Sequence, residues 1–161
     1  MTDTIDIKLI EEDNYNDYVQ IILNGEPLKR LFDVYGFIAT TYKKKITVEL
    51  CTCSCGVPGC AGIFYGTTSK RRRKTVEWRD IDSGLPKRFY SFKREDYDAA
   101  IKNAIDAMYK VALKRESLNM QSFDTDDDEL EYDGRLTRHD LYFTFSNVKE
   151  LESYLNYHYW Y

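Results

Sequence analysis

Histidine is nearly missing from this chain, with only His139 and His158 among 161 residues, and cysteine is missing everywhere outside the stretch from Cys51 to Cys60. Neither histidine sits in a paired metal motif such as H-E-x-x-H. No G-x-S-x-G, P-loop or dinucleotide fingerprint occurs either. The recognisable signatures of metallohydrolases, serine hydrolases, nucleotide-phosphate enzymes and dehydrogenases are therefore lacking. Arg138-His139-Asp140 reads as a solvated turn before a strand. Catalytic carboxylates carry no local motif, so an enzyme of unrecognised type stays open as a third reading. No window approaches the roughly 18 consecutive apolar residues of a membrane span. Met1–Asp6 has neither the basic nor the apolar region of a signal peptide. The expectation is a cytosolic protein with reduced thiols and no membrane partner. No internal repeat is visible.

What is present is the composition of a globular domain, with 43% hydrophobic and 31% charged residues. The length suits one domain over 1–161 with its own core. Fourteen tyrosines and eight phenylalanines are a heavy aromatic load. It reads as a β-rich core with amphipathic surface tyrosines, or as an aromatic binding face.

Periodicity assigns most elements. Residues 5–11 alternate as a strand, and Tyr15–Leu23 is a second, with Val19, Ile21 and Leu23 on one face. Asn24-Gly25 is a strong hairpin signal, and the return strand from Glu26 is cut short by Pro27. Residues 28–40 are ambiguous: Leu31, Phe32, Tyr35 and Ile38 fit helical spacing, but Gly36 interrupts them. Lys45–Cys51 reads as one strand running into the cysteine turn, and Gly62–Gly66 as the strand leaving it. Residues 66–74 read as a basic loop, 74–79 as a strand with Val76 and Trp78 inward, and 88–92 as a further strand. The clearest helix spans 93–116, where Tyr97, Ala100, Ile101, Ala104, Met108, Val111 and Ala112 recur on one face. Acidic side chains open it, and Lys110, Lys114 and Arg115 close it, as the helix dipole favours. Residues 117–138 read as an acidic, mobile segment, and 141–145 as a strand. Asn147 and Glu150 have the spacing of a capping box before a short terminal helix. Strands followed by helices point to an α+β fold: an antiparallel sheet of about five to seven strands, a long helix over about 93–116 and a short C-terminal helix.

The cysteines invite a metal. Cys51, Cys53 and Cys55 share one face if the strand continues, and Gly56-Val57-Pro58-Gly59 turns Cys60 back toward them. Four converging thiolates would suit tetrahedral zinc; buried reduced thiols packed as small hydrophobes are the alternative. No C-x-x-C dithiol is present for redox chemistry. Cys53-x-Cys55-Gly56-x-x-x-Cys60-x-Gly62 resembles the post-SET zinc motif of lysine methyltransferases, which implies zinc on these residues with Cys51 as the fourth ligand. The SET catalytic signatures do not accompany it. The same C-x-C-G-x-x-G-C-x-G string, followed by Val76-Glu77-Trp78, is similar to that of small uncharacterised bacterial proteins, a resemblance that brings no established chemistry.

Charge is segregated. Residues 70–94 carry ten Lys and Arg against Glu77, Asp80 and Asp82, while the whole chain stands at −4. The run containing Arg71, Arg72 and Arg73 reads as a solvated hairpin tip, a phosphate contact or a site for an acidic protein. Asp126, Asp127 and Asp128 lie in an acidic run. Read as an EF-hand loop from Asp124, that run has Glu129 and Arg135 where glycine and glutamate are required. It suits a protein contact or mimicry of phosphate charge instead. The leading expectation is a protein–protein interaction module of the immunity or inhibitor kind. The alternative is a zinc-stabilised nucleic-acid-binding protein using residues 70–74.

Overall fold

The structure is a computed structural model, and it describes residues 2–11, 17–52, 66–119 and 145–157. Among the described residues nine strands and three helices follow in order: β1 (Ile5–Ile10), β2 (Tyr18–Leu23), β3 (Glu26–Pro27), β4 (Leu31–Phe32), α1 (Val34–Ala39), β5 (Lys45–Val48), β6 (Cys51–Thr52), β7 (Thr67–Arg71), β8 (Thr75–Arg79), β9 (Phe89–Lys93), α2 (Arg94–Ser117) and α3 (Val148–Tyr157). The fold is α+β. Two larger antiparallel sheets have the orders β1-β2-β3 and β5-β7-β8-β9, and β4 and β6 form a separate pair.

The first sheet follows the pattern of its sequence. Val19, Ile21 and Leu23 are buried on one face of β2. Asn24 and Gly25 have φ of 53° and 83°, the paired left-handed conformation of a tight hairpin. Leu23 then pairs with Glu26 across the turn. Asp3 fastens the N-terminal end. Its carboxylate accepts hydrogen bonds from the Ser91 N–H at 2.8 Å, from Asn24 Nδ2 at 2.8 Å and from Lys87 Nζ. Burial alone would raise its pKa; the bonds from Lys87, Ser91 and Asn24 outweigh burial and hold it below the ordinary value.

One ambiguity is resolved and two expectations need correction. Residues 34–39 are helical straight through Gly36. Asp33 caps this helix by accepting the Tyr35 N–H at 2.9 Å. A Cβ on residue 36 would lie 2.7 Å from Asp33 Oδ2, so glycine there makes room for the cap. The Lys45–Cys51 strand is split. Leu50 and Cys51 are both buried, and two consecutive inward residues cannot share one pleat. The chain breaks at Glu49-Leu50 and changes sheet, so that β5 pairs with β7 and β6 with β4. Finally, residues 67–71 are strand β7 rather than loop. Its inward side chains, Thr67 and Ser69, are buried but polar and small, so hydrophobic alternation gave no sign of them. Ser69 stands directly opposite Trp78, where a larger residue would compete for space.

Inside the second sheet sits an aromatic cluster. Phe37, Trp78, Phe92 and Tyr97 come from α1, β8, β9 and α2. Trp78 meets Phe37, Phe92 and Tyr97 edge-on at centroid distances of 5.9, 5.1 and 5.7 Å. Such pairs stabilise by about 0.5–1.5 kcal/mol each beyond their burial. The Tyr97 hydroxyl is the polar centre of the cluster, accepting from Trp78 Nε1 at 3.1 Å and bonding Thr40 Oγ1 at 2.6 Å. α2 also packs on β1 and α3. Near its end, Arg115 is fully buried rather than serving only the dipole. It donates to the Phe145 carbonyl at 2.8 Å and stands 3.9 Å from the buried carboxylate of Asp17. α3 begins as its sequence indicates. The Glu150 N–H donates to Asn147 Oδ1 at 2.9 Å, and the Glu150 carboxylate reaches back to the Ser146 N–H at 2.7 Å. The expected strands at 62–66 and 141–145 lie outside the described residues except for Gly66 and Phe145, neither of which is in a strand. Of the acidic segment 117–138, only residues 117–119 are described.

Two consequences can be measured. Tyr97→Phe leaves the buried Trp78 N–H without its acceptor, so urea unfolding should show a loss of about 1–3 kcal/mol; an unchanged midpoint would contradict the hub. For Asp3, a lowered folded pKa means stability present above the ordinary 3.8 and lost as the pH falls through the folded value. Asp3→Asn should therefore melt earlier than the parent at pH 7, with the gap narrowing as the pH falls below 3.8.

Candidate functional site

Alternation divides the residues of the β5-β7-β8-β9 sheet into two faces. Trp78, Tyr90, Phe92 and Val76 point inward to the core and to α2. Pairing then puts the remaining side chains in rows on the outer face. One row reads Lys45, Lys70, Glu77, Ser91, and the next reads Thr47, Thr68, Arg79, Phe89. Lys93 closes β9 opposite Thr75. Lys45, Lys70, Arg79, Phe89 and Lys93 are exposed. The Thr47 and Thr68 hydroxyls are 3.2 Å apart.

Two basic runs distant in sequence meet here. The Arg71 N–H donates to the Lys44 carbonyl at 2.8 Å, and Lys45 is the direct partner of Lys70. Lys43–Lys45 thus joins Lys70–Lys74 at one end of the sheet, beside Lys93 and Arg94. Like charges directly opposite across a ladder cost stability; Glu77, the partner of Lys70 on its other side, offsets part of that repulsion and leaves Lys45 as the outermost cation of the row.

The three expected arginines have different roles. Arg71 faces inward, its side chain only 11% exposed; it is bound to Asp98 at 2.7 Å, with the guanidinium 6.0 Å from the Tyr97 ring centre. Arg72 grips Glu77 at 2.6 and 3.4 Å. Arg73 is exposed at the tip of the β7–β8 hairpin and has no ion pair among the described residues. Each nearby carboxylate serves two guanidiniums: Asp98 also meets Arg94 at 3.5 Å, and Glu77 also meets Arg79 at 3.8 Å. They order the arginines without neutralising the patch. The hydrogen bond from Arg72 outweighs burial and holds the Glu77 carboxyl below its ordinary value. At the far corner the Arg79 guanidinium lies over the Phe89 ring, 5.6 Å from its centre. An open, shallow depression beside it is lined by Arg79, Asp80, Lys87, Arg88 and Phe89.

Of the expected metal ligands, Cys51 is described, and Cys53, Cys55 and Cys60 lie outside the described residues. Cys51 is buried where β6 pairs with β4. Burial first, then the charge of Asp82, pushes its thiol up; Arg30 opposes this and Asp33 adds to it. These surroundings favour a neutral thiol packed as a small apolar group. Among the described residues no three His, Cys, Asp or Glu side chains gather as a metal site would require. Asp126, Asp127 and Asp128 also lie outside the described residues.

Sequence reasoning missed Lys43–Lys45 and Phe89. The lysine run was visible, but its partner depended on strand order. Phe89 depended on register, since a shift of one residue would bury it and expose Tyr90. The chain matches no protein-family model, no curated protein and no solved structure.

Cys51 should resist a thiol-specific reagent in the native protein with EDTA present and react once the protein is unfolded in denaturant. Immediate reaction of all four thiols in the folded state would contradict its burial.

Proposed function

We propose that this chain is a small nucleic-acid-binding module whose contact surface is the outer face of the β5-β7-β8-β9 sheet. The observation that carries this reading is the Lys45–Lys70 cross-strand pair, which unites two basic runs. Two opposed lysines raise the local positive potential, and a polyanion bound across them releases its condensed counterions. The surface is a broad, shallow face with threonine hydroxyls between the cations. That shape suits a repeating phosphate backbone better than a small molecule, which binds in concave sites. The acidic balance of the rest of the chain confines such binding to this face. Zinc has no part in this reading. The interaction-module reading would place an acidic protein on the same cations.

The test is fluorescence anisotropy with a labelled oligonucleotide between 50 and 200 mM salt, for the parent and for the double variant Lys45→Ala, Lys70→Ala. The parent should bind with a steep salt dependence. The variant should bind at least about tenfold more weakly, its log–log salt slope shallower by about 1.4–1.8, as expected for two lost phosphate contacts. Its thermal stability should stay close to that of the parent, because the Lys45–Lys70 repulsion and the Lys70–Glu77 attraction are lost together. Binding unaffected by salt and by the double substitution, or no binding at 50 mM salt, would overturn the reading in favour of an acidic protein.

A further inference from the structure

Phe89 stands on the same outer face as the cations, 44% exposed, in direct register with Arg79. Among the described residues the exposed large apolar side chains are Tyr42, Phe89, Leu113 and Leu118. Both aromatics in that group border this sheet: Tyr42 immediately precedes Lys43–Lys45, and Phe89 opens β9. The Arg79 guanidinium covers part of the Phe89 ring at 5.6 Å and leaves the rest open. From Phe89 the row runs through Arg79 to the Thr68 and Thr47 hydroxyls, and the adjacent row holds Lys70 and Lys45. The strand spacing of about 4.8 Å puts Phe89 roughly 10 Å across the sheet from β7.

From this arrangement, and resting on the nucleic-acid reading above, we infer that the ligand is single-stranded. Its backbone crosses the basic end of the sheet at Lys45 and Lys70, and one of its bases stacks on Phe89 beside Arg79. A duplex keeps its bases stacked on one another and offers its backbone and base edges, but no base face for a ring to stack on. A single strand offers unstacked bases, and an exposed aromatic ring with a flanking guanidinium is a sequence-tolerant platform for one of them. The long helix α2 is not on this side to enter a groove of a duplex: it contributes Tyr97 to the inner, aromatic face. The hydroxyls of Thr47 and Thr68 bond each other, which leaves one O–H to donate to a phosphate or sugar oxygen between the cations and the ring. Phe89 thus gives the surface a preference that charge alone does not supply.

The experiment compares the parent, Phe89→Leu and Phe89→Trp by anisotropy with three probes at one salt concentration: a 12-nucleotide oligothymidine, a 12-base-pair duplex and inorganic polyphosphate. Leucine keeps the apolar bulk and removes the ring. The expected result is a loss of about 5- to 100-fold for Phe89→Leu on the single strand, recovery with tryptophan, and less than twofold change on duplex and polyphosphate. Equal binding of the single strand by the parent and Phe89→Leu would overturn the inference, as would a matching loss on duplex and polyphosphate. Either result leaves the nucleic-acid reading standing provided the Lys45→Ala, Lys70→Ala variant still loses binding. If that variant retains full binding, the broader reading fails on its own account.

Discussion

The Tyr97 hydroxyl, bonded at once to Trp78 and Thr40, is the interaction on which the rest of the arrangement depends. It lies inside the core, where an unpaired polar group costs a full desolvation penalty. Satisfying it holds α1, β8 and α2 at one relative position. Phe37 and Phe92 close around the same point. Because Trp78 must face this cluster, the period of the strand sends Glu77 and Arg79 outward. Because Phe92 and Tyr90 must face it, Phe89 and Lys93 are outward too. The chemistry of the exposed face is thus set by what the core requires of its other side.

A second joint sits at the far end of α2. Buried Arg115 reaches the Phe145 carbonyl, lies with its guanidinium 5.6 Å from the centre of the Phe145 ring, and shares its charge with buried Asp17. Buried ion pairs add little net stability but are costly to break from one side. This one ties the start of β2 and the approach to α3 to a single helix. The two ends of α2 therefore do different work. The N-terminal end supports the basic face through Asp98, which holds Arg71 and Arg94. The C-terminal end gathers the other segments.

Local physics was legible in the sequence wherever it acted alone. The Asn24-Gly25 turn, the long helix, the alternation of Val76 and Trp78 and the cap at Asn147 need no knowledge of distant partners. What was hidden depended on tertiary pairing. Strand β7 carries Thr67 and Ser69 inward because Trp78 fills the space opposite, so its burial left no apolar pattern. The break at Leu50 follows from two sheets sharing a corner. Arg115 looks like an ordinary basic helix end until Asp17 is brought to it. The basic run at 70–74 was plain, yet the lysine run it meets across the sheet, Lys43–Lys45, lies about 25 residues earlier. The cysteine turn, the most conspicuous local feature, contributes one described residue, and that residue belongs to the packing.

The account makes the outer sheet face the contact surface and the rest of the protein its support. The most direct measurement is an amide-resolved NMR titration of the folded chain with a short oligothymidine. The account predicts that shift changes concentrate on Lys45, Thr47, Thr68, Lys70, Arg79, Phe89 and Lys93, with α2 beyond its first turn and α3 unmoved. Changes centred on Leu113 of α2 and on Leu118 just past its end, or no changes up to millimolar oligonucleotide, would contradict it.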